Sequence, residues 1–309
     1  MTTGPRVTKQ SFFIPLRDGS IHYAEVRGSG TPPLVLVYGI ACQMNHWNYQ
    51  MAELAQERQV VSYDLRGHVR SEKGHESELT VSGLVEDLHE ILGALSIHSA
   101  HLAGHSFGVP IAVEFASRYP DLTHSLTLIN GFVTNPMQNF MGMNVPQVLF
   151  PFLLELQQTD PEAFKKIWQL SVENPLATLI AGLTGGFNLK ATELKDIEIY
   201  THGVATMDTH TFFTLFRALL DYDGRESVKT IRAPTLVIGG EKDQITPLRY
   251  QKEIFDLLPE TTPKRLVTVD YGSHCCQLDF PDYVNLLMRE HFQWSSQAQA
   301  RVLRPWHHE

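Results

Sequence analysis

Cysteine is scarce in this chain. Only Cys42, Cys275 and Cys276 occur among 309 residues, too few for a disulfide framework. They form no zinc motif either. A zinc site takes three or four ligands at fixed spacing, and the single local cluster, His274-Cys275-Cys276, holds no C-x-x-C pair. A disulfide between the adjacent Cys275 and Cys276 would be strained and disfavoured in a reducing compartment. Long apolar runs are missing too. No stretch reaches the roughly 18 residues of a membrane span, and the opening "MTTGPRVTKQSFF" has no apolar core of a signal peptide. Basic stripes are absent and the formal net charge is −9, which speaks against a nucleic-acid partner. Repeats and low-complexity tracts are also lacking. These absences predict a soluble intracellular chain, cytoplasmic, with no stable membrane insertion. Homo-oligomerisation stays open.

What the chain does hold is apolar material in a regular rhythm. Hydrophobic residues make up 43% of it, enough for a sizeable core. "SFFIPL" and "IHYAEV" flank "RDGS" as a β-hairpin. "PPLVLVYG", "QVVSYD", "HLAGHS", "HSLTLING", "APTLVIGG" and "RLVTVDYG" are apolar runs of the kind that form buried strands. Helical periodicity lies between them. In "TVSGLVEDLHEILGAL" an apolar stripe runs through Leu84, Val85, Leu88, Ile91, Leu92 and Leu95, with Thr80 placed to cap it. "VPIAVEFASRYP" stops at Pro120, and "DFPDYVNLLMREHF" reads as a closing helix. Alternation of this kind predicts an α/β fold with a mostly parallel sheet covered on both faces.

The rhythm breaks between about Phe132 and Arg232, a helical stretch rich in Leu, Phe and Met. It reads as an insertion between two strands, either packed on the core or roofing a substrate pocket. The expected layout is therefore a core of residues 1–131 and 233–294, a helical cap of 132–232, and a loose tail of 295–309. His307 and His308, in that tail, carry no expected role.

The strongest local pattern is Gly104-His105-Ser106-Phe107-Gly108, spaced G-x-S-x-G after an apolar strand and before a helix. Such a tight turn strains the backbone at the serine and displays its Oγ above the sheet, while glycines avoid clashes. The helix start offers free N–H groups and positive dipole to a developing oxyanion. A serine hydroxyl still needs a base, and the base needs an orienting acid. Asp243 follows one later strand and His274 the next. Glu241 and Asp270 compete for the acid, and fourteen other histidines compete for the base. Among these, His46 and His68 lie in loops near the site.

With these residues in order, the chain resembles the α/β-hydrolase fold of serine esterases, lipases and acyl-hydrolases over about residues 20–293. The resemblance implies an eight-stranded sheet, Ser106 as nucleophile, His274 as general base and Asp243 as its carboxylate. "Asp64-Leu-Arg-Gly-His68" resembles that group's structural D-x-R-G-H-G-x-S turn, with Val69 replacing the second glycine. The oxyanion donors implied are the backbone N–H groups of Phe107 and Ile40. The loop usually reads His-Gly; here it reads Tyr38-Gly39-Ile40.

The expected reaction is hydrolysis of a small apolar carboxylic ester through an acyl-enzyme, with no metal or organic cofactor. Tyr38, Phe140, Met141 and Met143 are candidate substrate contacts, with Phe150 and Phe152 adding apolar character to the cap. His105 is a further candidate, although its side chain should point away from the chemistry. Lactone or thioester hydrolysis, acyl transfer and C–C cleavage use the same residues. Dehalogenases and epoxide hydrolases that resemble this fold use Asp where this chain has Ser106. A receptor that retains the triad is the alternative of another class.

Overall fold

The computed structural model describes residues 7–137 and 145–302. The hairpin forms as β1 (Lys9–Pro15) and β2 (Ile21–Arg27), followed by β3 (Leu34–Val37), α1 (Asn48–Leu54), β4 (Val60–Tyr63), α2 (Val81–Ala94), β5 (Ala100–His105), α3 (Gly108–Arg118) and β6 (Thr123–Ile129). Six helices come next: α4 (Val145–Thr159), α5 (Pro161–Val172), α6 (Pro175–Leu183), α7 (Leu194–Thr206), α8 (Thr209–Asp221) and α9 (Arg225–Lys229). The chain returns with β7 (Thr235–Gly240), α10 (Leu248–Leu257), β8 (Lys264–Val269), α11 (Cys276–Asp279) and α12 (Pro281–Val302).

All eight apolar runs are strands of one sheet, ordered β1-β2-β4-β3-β5-β6-β7-β8. β1–β2 and β2–β4 pair antiparallel, and every later pair is parallel. The central strands β3 and β5 are buried throughout, because helices cover both faces of a parallel sheet. The edges are blunted instead: β1 is mostly exposed and carries Lys9, and β8 is half-buried and carries Lys264 and Arg265. The stripe of α2 is buried as its period requires, and Thr80 accepts the N–H of Gly83 as its cap. Among the described residues, no strand interrupts the helices between β6 and β7, and no helix is long and apolar enough to cross a membrane.

The end of the chain departs from expectation. Residues 295–302 are not a loose tail: α12 continues to Val302, and Ser295 is buried with its hydroxyl donating to the Phe292 carbonyl.

The turn after β4 is bolted in place by charge. Arg66 is buried and clasps Asp87 of α2 with two N–H groups, at 2.8 and 2.5 Å, while its third arm reaches Asp18 of the hairpin turn at 2.6 Å. Such forked pairing has strict geometry. Burial nonetheless pushes the Asp87 carboxyl up to about 6, against the pull of Arg66. Val69, in the same turn, adopts φ +45° and is 60% exposed. The missing glycine has therefore not reshaped this position out of the left-handed region; a β-branched residue occupies it under strain. Left-handed backbone costs an L-residue roughly 1–2 kcal/mol, of which glycine's greater unfolded freedom returns part. Val69→Gly is expected to raise stability by about 1 kcal/mol, read as a higher denaturant midpoint.

Candidate active site

β5 ends at His105, and the chain reverses into α3 through Ser106 and Phe107. Ser106 sits at φ +54°, its N–H held by the Ile129 carbonyl at 3.1 Å. The turn is so tight that a Cβ on Gly104 would lie 2.5 Å from the Gly108 carbonyl oxygen. A Cβ on Gly108 would lie 2.2 Å from the Val37 oxygen of the neighbouring strand. The G-x-S-x-G spacing is thus a packing requirement. Ser106 remains partly exposed, facing a cavity of about 240 Å³.

Asp243 and His274 come from the loops after β7 and β8. The Oδ2 of Asp243 lies 2.9 Å from Nδ1 of His274, and both residues are buried. A carboxylate can only accept, so Nδ1 carries the proton and Nε2 keeps its lone pair. The Oδ1 of Asp243 takes the N–H groups of Ile245 and Thr246, at 2.8 and 2.9 Å. The Thr246 hydroxyl stands 2.7 Å from Asp243 Oδ2 and 2.8 Å from the Asn130 carbonyl. Of the competing acids, Glu241 is exposed and pairs with Lys242, and Asp270 is exposed. Neither meets His274.

Ile40 and Phe107 also come together near Ser106. The backbone at Gly39 passes so close that a Cβ there would sit 2.9 Å from the Ser106 Cβ. Among the described residues, neither the Ile40 nor the Phe107 N–H has an acceptor within the chain. His68 fixes the Ile40 loop. Its Nδ1 donates to the Arg66 carbonyl and its Nε2 accepts the Ala41 N–H, each at 3.0 Å.

Asn130 escaped the sequence reading. It is fully buried at φ +45°. Its Nδ2 donates to the carbonyls of Ser273 and His274, at 2.9 and 2.7 Å, and its Oδ1 accepts the Gly240 N–H at 2.7 Å. One amide therefore ties the end of β6 to the loops bearing Asp243 and His274. The signal was an Asn-Gly pair closing a strand, since Asn tolerates left-handed backbone and bonds peptides nearby.

The proposed substrate contacts fare unevenly. Tyr38 is buried away from the cavity: its hydroxyl donates to Asp64 at 3.2 Å and accepts the Leu65 N–H at 2.9 Å. It packs the core and has no hydroxyl valence aimed at a ligand. His105 does line the cavity, with Nε2 donating to the His274 carbonyl at 2.9 Å. Phe140, Met141 and Met143 lie outside the described residues, and Phe152 is 59% exposed rather than cavity-facing. The apolar wall comes instead from Phe132, Phe187, Tyr200, Phe212, Phe216, Leu219 and Ile245, most of them in the α6–α8 region. All three cysteines are buried, which pushes their thiols up in pKa and keeps them protonated. A wider cleft of about 450 Å³ lies on the other side of Cys42, beside His68 and Asp208; Ser106 does not line it.

Residues 32–281 match the family described as alpha/beta hydrolase fold. The chain belongs to the alpha/beta hydrolase fold family. A protein named "Putative carbamate hydrolase RutD", from Azorhizobium caulinodans, is 28% identical over 88% of this chain and 94% of its own length. "Epoxide hydrolase 4" of Mus musculus is 25% identical over 89% of this chain and 77% of its own. The solved esterase of Exiguobacterium antarcticum superposes with a TM-score of 0.72 at 20% identity, covering 92% of this chain and all of that one; at that identity the likeness speaks for the fold. This alpha/beta hydrolase thus has hydrolase-named relatives, which supports an enzyme and leaves the bond cleaved to the site.

Two outcomes are expected. Asn130→Ala leaves the buried Ser273 carbonyl and the Gly240 N–H without their partner, and the His274 carbonyl with His105 Nε2 alone; it should destabilise the protein by about 2 kcal/mol, measured by chemical denaturation. The second concerns pH. Burial pushes His22 and His68 down to about 4 and His46 to about 3. In the unfolded chain they titrate near about 6.5. Below that pH the unfolded state binds protons that the folded state refuses, so stability is present above about 6.5 and is lost towards 4. The denaturation midpoint should fall from pH 7 to pH 5, and less steeply in His68→Gln.

Proposed function

We propose that this protein is a serine hydrolase that cleaves carboxylic esters with apolar acyl or alcohol groups through an acyl-enzyme intermediate. The observation that carries this reading is that Ser106 and the buried His274–Asp243 pair open on one apolar cavity. Ser106 attacks the ester carbonyl and forms the Oγ–C bond, while its proton passes to Nε2 of His274. Asp243 holds the imidazolium that results. The oxyanion rests on the N–H groups of Ile40 and Phe107, each such donor being worth about 3 kcal/mol. The C–O bond breaks as His274 gives its proton to the leaving alcohol. Water, deprotonated by the same histidine, then releases the acid and restores Ser106. Every step uses side chains and peptides of this chain.

The helices between β6 and β7 serve in this reading as a cap, residues 132–232, over a core of 1–131 and 233–294. Their support is the share of the cavity wall they supply. That wall also separates the candidate substrates. A small carbamate offers little to bury against so many aromatic rings, whereas an apolar acyl chain or aryl alcohol does. Ser106 itself argues against epoxide opening, since related epoxide hydrolases use a carboxylate nucleophile. Lactones and thioesters present the same carbonyl and remain substrates to assay, with acyl transfer as the counterpart when an alcohol replaces water.

A panel of chromogenic esters of graded acyl length tests the proposal. Turnover should favour uncharged apolar acyl groups, and Ser106→Ala should lower kcat on the order of 10⁴–10⁶-fold. A variant as fast as wild type would overturn the assignment of Ser106. Preference for compact charged acids would overturn the apolar-substrate reading. Tight binding of a small molecule without turnover of any ester would favour a receptor.

A further inference from the structure

We propose that Cys42, His46 and His105 form a zinc-binding site in the wall of the Ser106 cavity. The three residues are far from a motif in sequence, with Cys42 and His46 in the loop after β3 and His105 at the end of β5. The pairing of β3 with β5 brings them together. One donor atom of each lies within 4.8 Å of the other two, all three side chains are buried, and all three line the cavity.

The hydrogen bonding leaves these donors free. Neither ring nitrogen of His46 has a partner among the described residues. The Nε2 of His105 faces the His274 carbonyl, which only accepts, so Nε2 carries the proton and Nδ1 keeps a lone pair. That Nδ1 is buried without a partner among the described residues. A ligating imidazole characteristically has one nitrogen donating to a carbonyl while the other meets the metal. Burial also keeps both imidazoles neutral, as ligands must be. Leaving buried polar atoms unmatched costs about 1–3 kcal/mol each, so one unmatched nitrogen from each histidine beside the Cys42 sulfur points to an occupant.

The donor set selects the ion. One sulfur and two imidazole nitrogens suit Zn²⁺, whereas Mg²⁺ and Ca²⁺ take oxygen. On binding, the Cys42 thiol releases its proton to solvent, and the thiolate and two lone pairs replace water on the ion. Tetrahedral coordination needs the donors about 3.5 Å apart, so loading draws the three together from their spacing of up to 4.8 Å. The fourth position faces the cavity. Zinc there fills space that a substrate would use, so loading inhibits the ester hydrolysis proposed above. That consequence rests on the ester reading; the binding itself does not.

Full-length protein stripped of metal is titrated with ZnCl₂ by calorimetry, and with Co²⁺ as a spectroscopic probe. One zinc per chain is expected, with a thiolate-to-cobalt charge-transfer band. Cys42→Ser should abolish the band. His46→Gln should weaken zinc binding on the order of 100-fold, at or beyond the effect of losing an outer-shell partner. Cys275→Ser and the pair His307→Ala, His308→Ala should keep both signals, and Ser106→Ala should bind zinc as wild type does. Circular dichroism checks that each variant folds; if His46→Gln does not, the cobalt band of wild type against Cys42→Ser decides. Ester turnover should fall with the dissociation constant found by calorimetry, and Cys42→Ser should escape that inhibition. No zinc bound at micromolar concentration, or a band that follows Cys275, overturns the site. Zinc bound without inhibition of an active enzyme overturns its regulatory role. If no ester is turned over, the cobalt spectrum still tests the metal site, so the two readings fail separately.

Discussion

The backbone reversal at Ser106 is the constraint on which the rest of the site depends. A strand that becomes a helix within two residues has room for no side chain at its inner corners, and Gly104 and Gly108 supply that room. The helix then lies directly against β3, where a single methyl group at Gly108 would strike the Val37 carbonyl. This contact fixes how near the β3 loop comes to Ser106. The candidate oxyanion donors, on Ile40 and Phe107, are therefore set by the same packing that exposes the hydroxyl. His68 adds its hold on the Ile40 loop through the Ala41 N–H.

The opposite half of the site is assembled by polar contacts. Asp243 and His274 lie on different loops, and their pairing needs those loops held at a fixed separation. Asn130 supplies this from a third strand, with both ends of its amide engaged. An amide suits the position because it both donates and accepts, and so satisfies carbonyls and an N–H in one buried spot. Thr246 adds a hydroxyl beside the same carboxylate. Ser106 is thus positioned by exclusion of volume, and His274 by saturation of hydrogen bonds.

This difference explains what could be read from the sequence. β3 to β8 were legible because buried parallel strands are nearly continuous apolar runs, and β1 and β2 because they flank the turn "RDGS" as a hairpin. The elbow was legible because its glycines and serine are adjacent in the chain. The placement of Tyr38 was not, since it depends on Asp64 and Leu65 at the end of a neighbouring strand. Asn130 looked like any residue closing a strand, because its partners lie 110 to 144 positions away. The grouping of Cys42 and His46 with His105 was hidden for the same reason, while Cys275 and Cys276, conspicuous beside His274, are buried free thiols outside it. Val69 was noticed as an exception, yet only the backbone angle revealed that the left-handed turn survived the change. The helix beyond Trp294 was missed because the sequence there, "SSQAQARV", carries no apolar stripe.

One backbone contact links the helical insertion to the rest. The N–H of His274 donates to the carbonyl of Gly185 at 2.7 Å, and Gly185, at φ +71°, is wedged so tightly that a Cβ would lie 2.2 Å from the Lys242 carbonyl. The insertion therefore touches both arms of the histidine–carboxylate pair through a peptide group. Side chains along α6, α7 and α8 can be exchanged without altering that anchor, so the shape of the cavity is free to drift while the histidine stays where it is. Removing the helices altogether would be a different matter. It would uncover the cavity and also take away a support of the imidazole, which makes the insertion a structural part of the centre it covers.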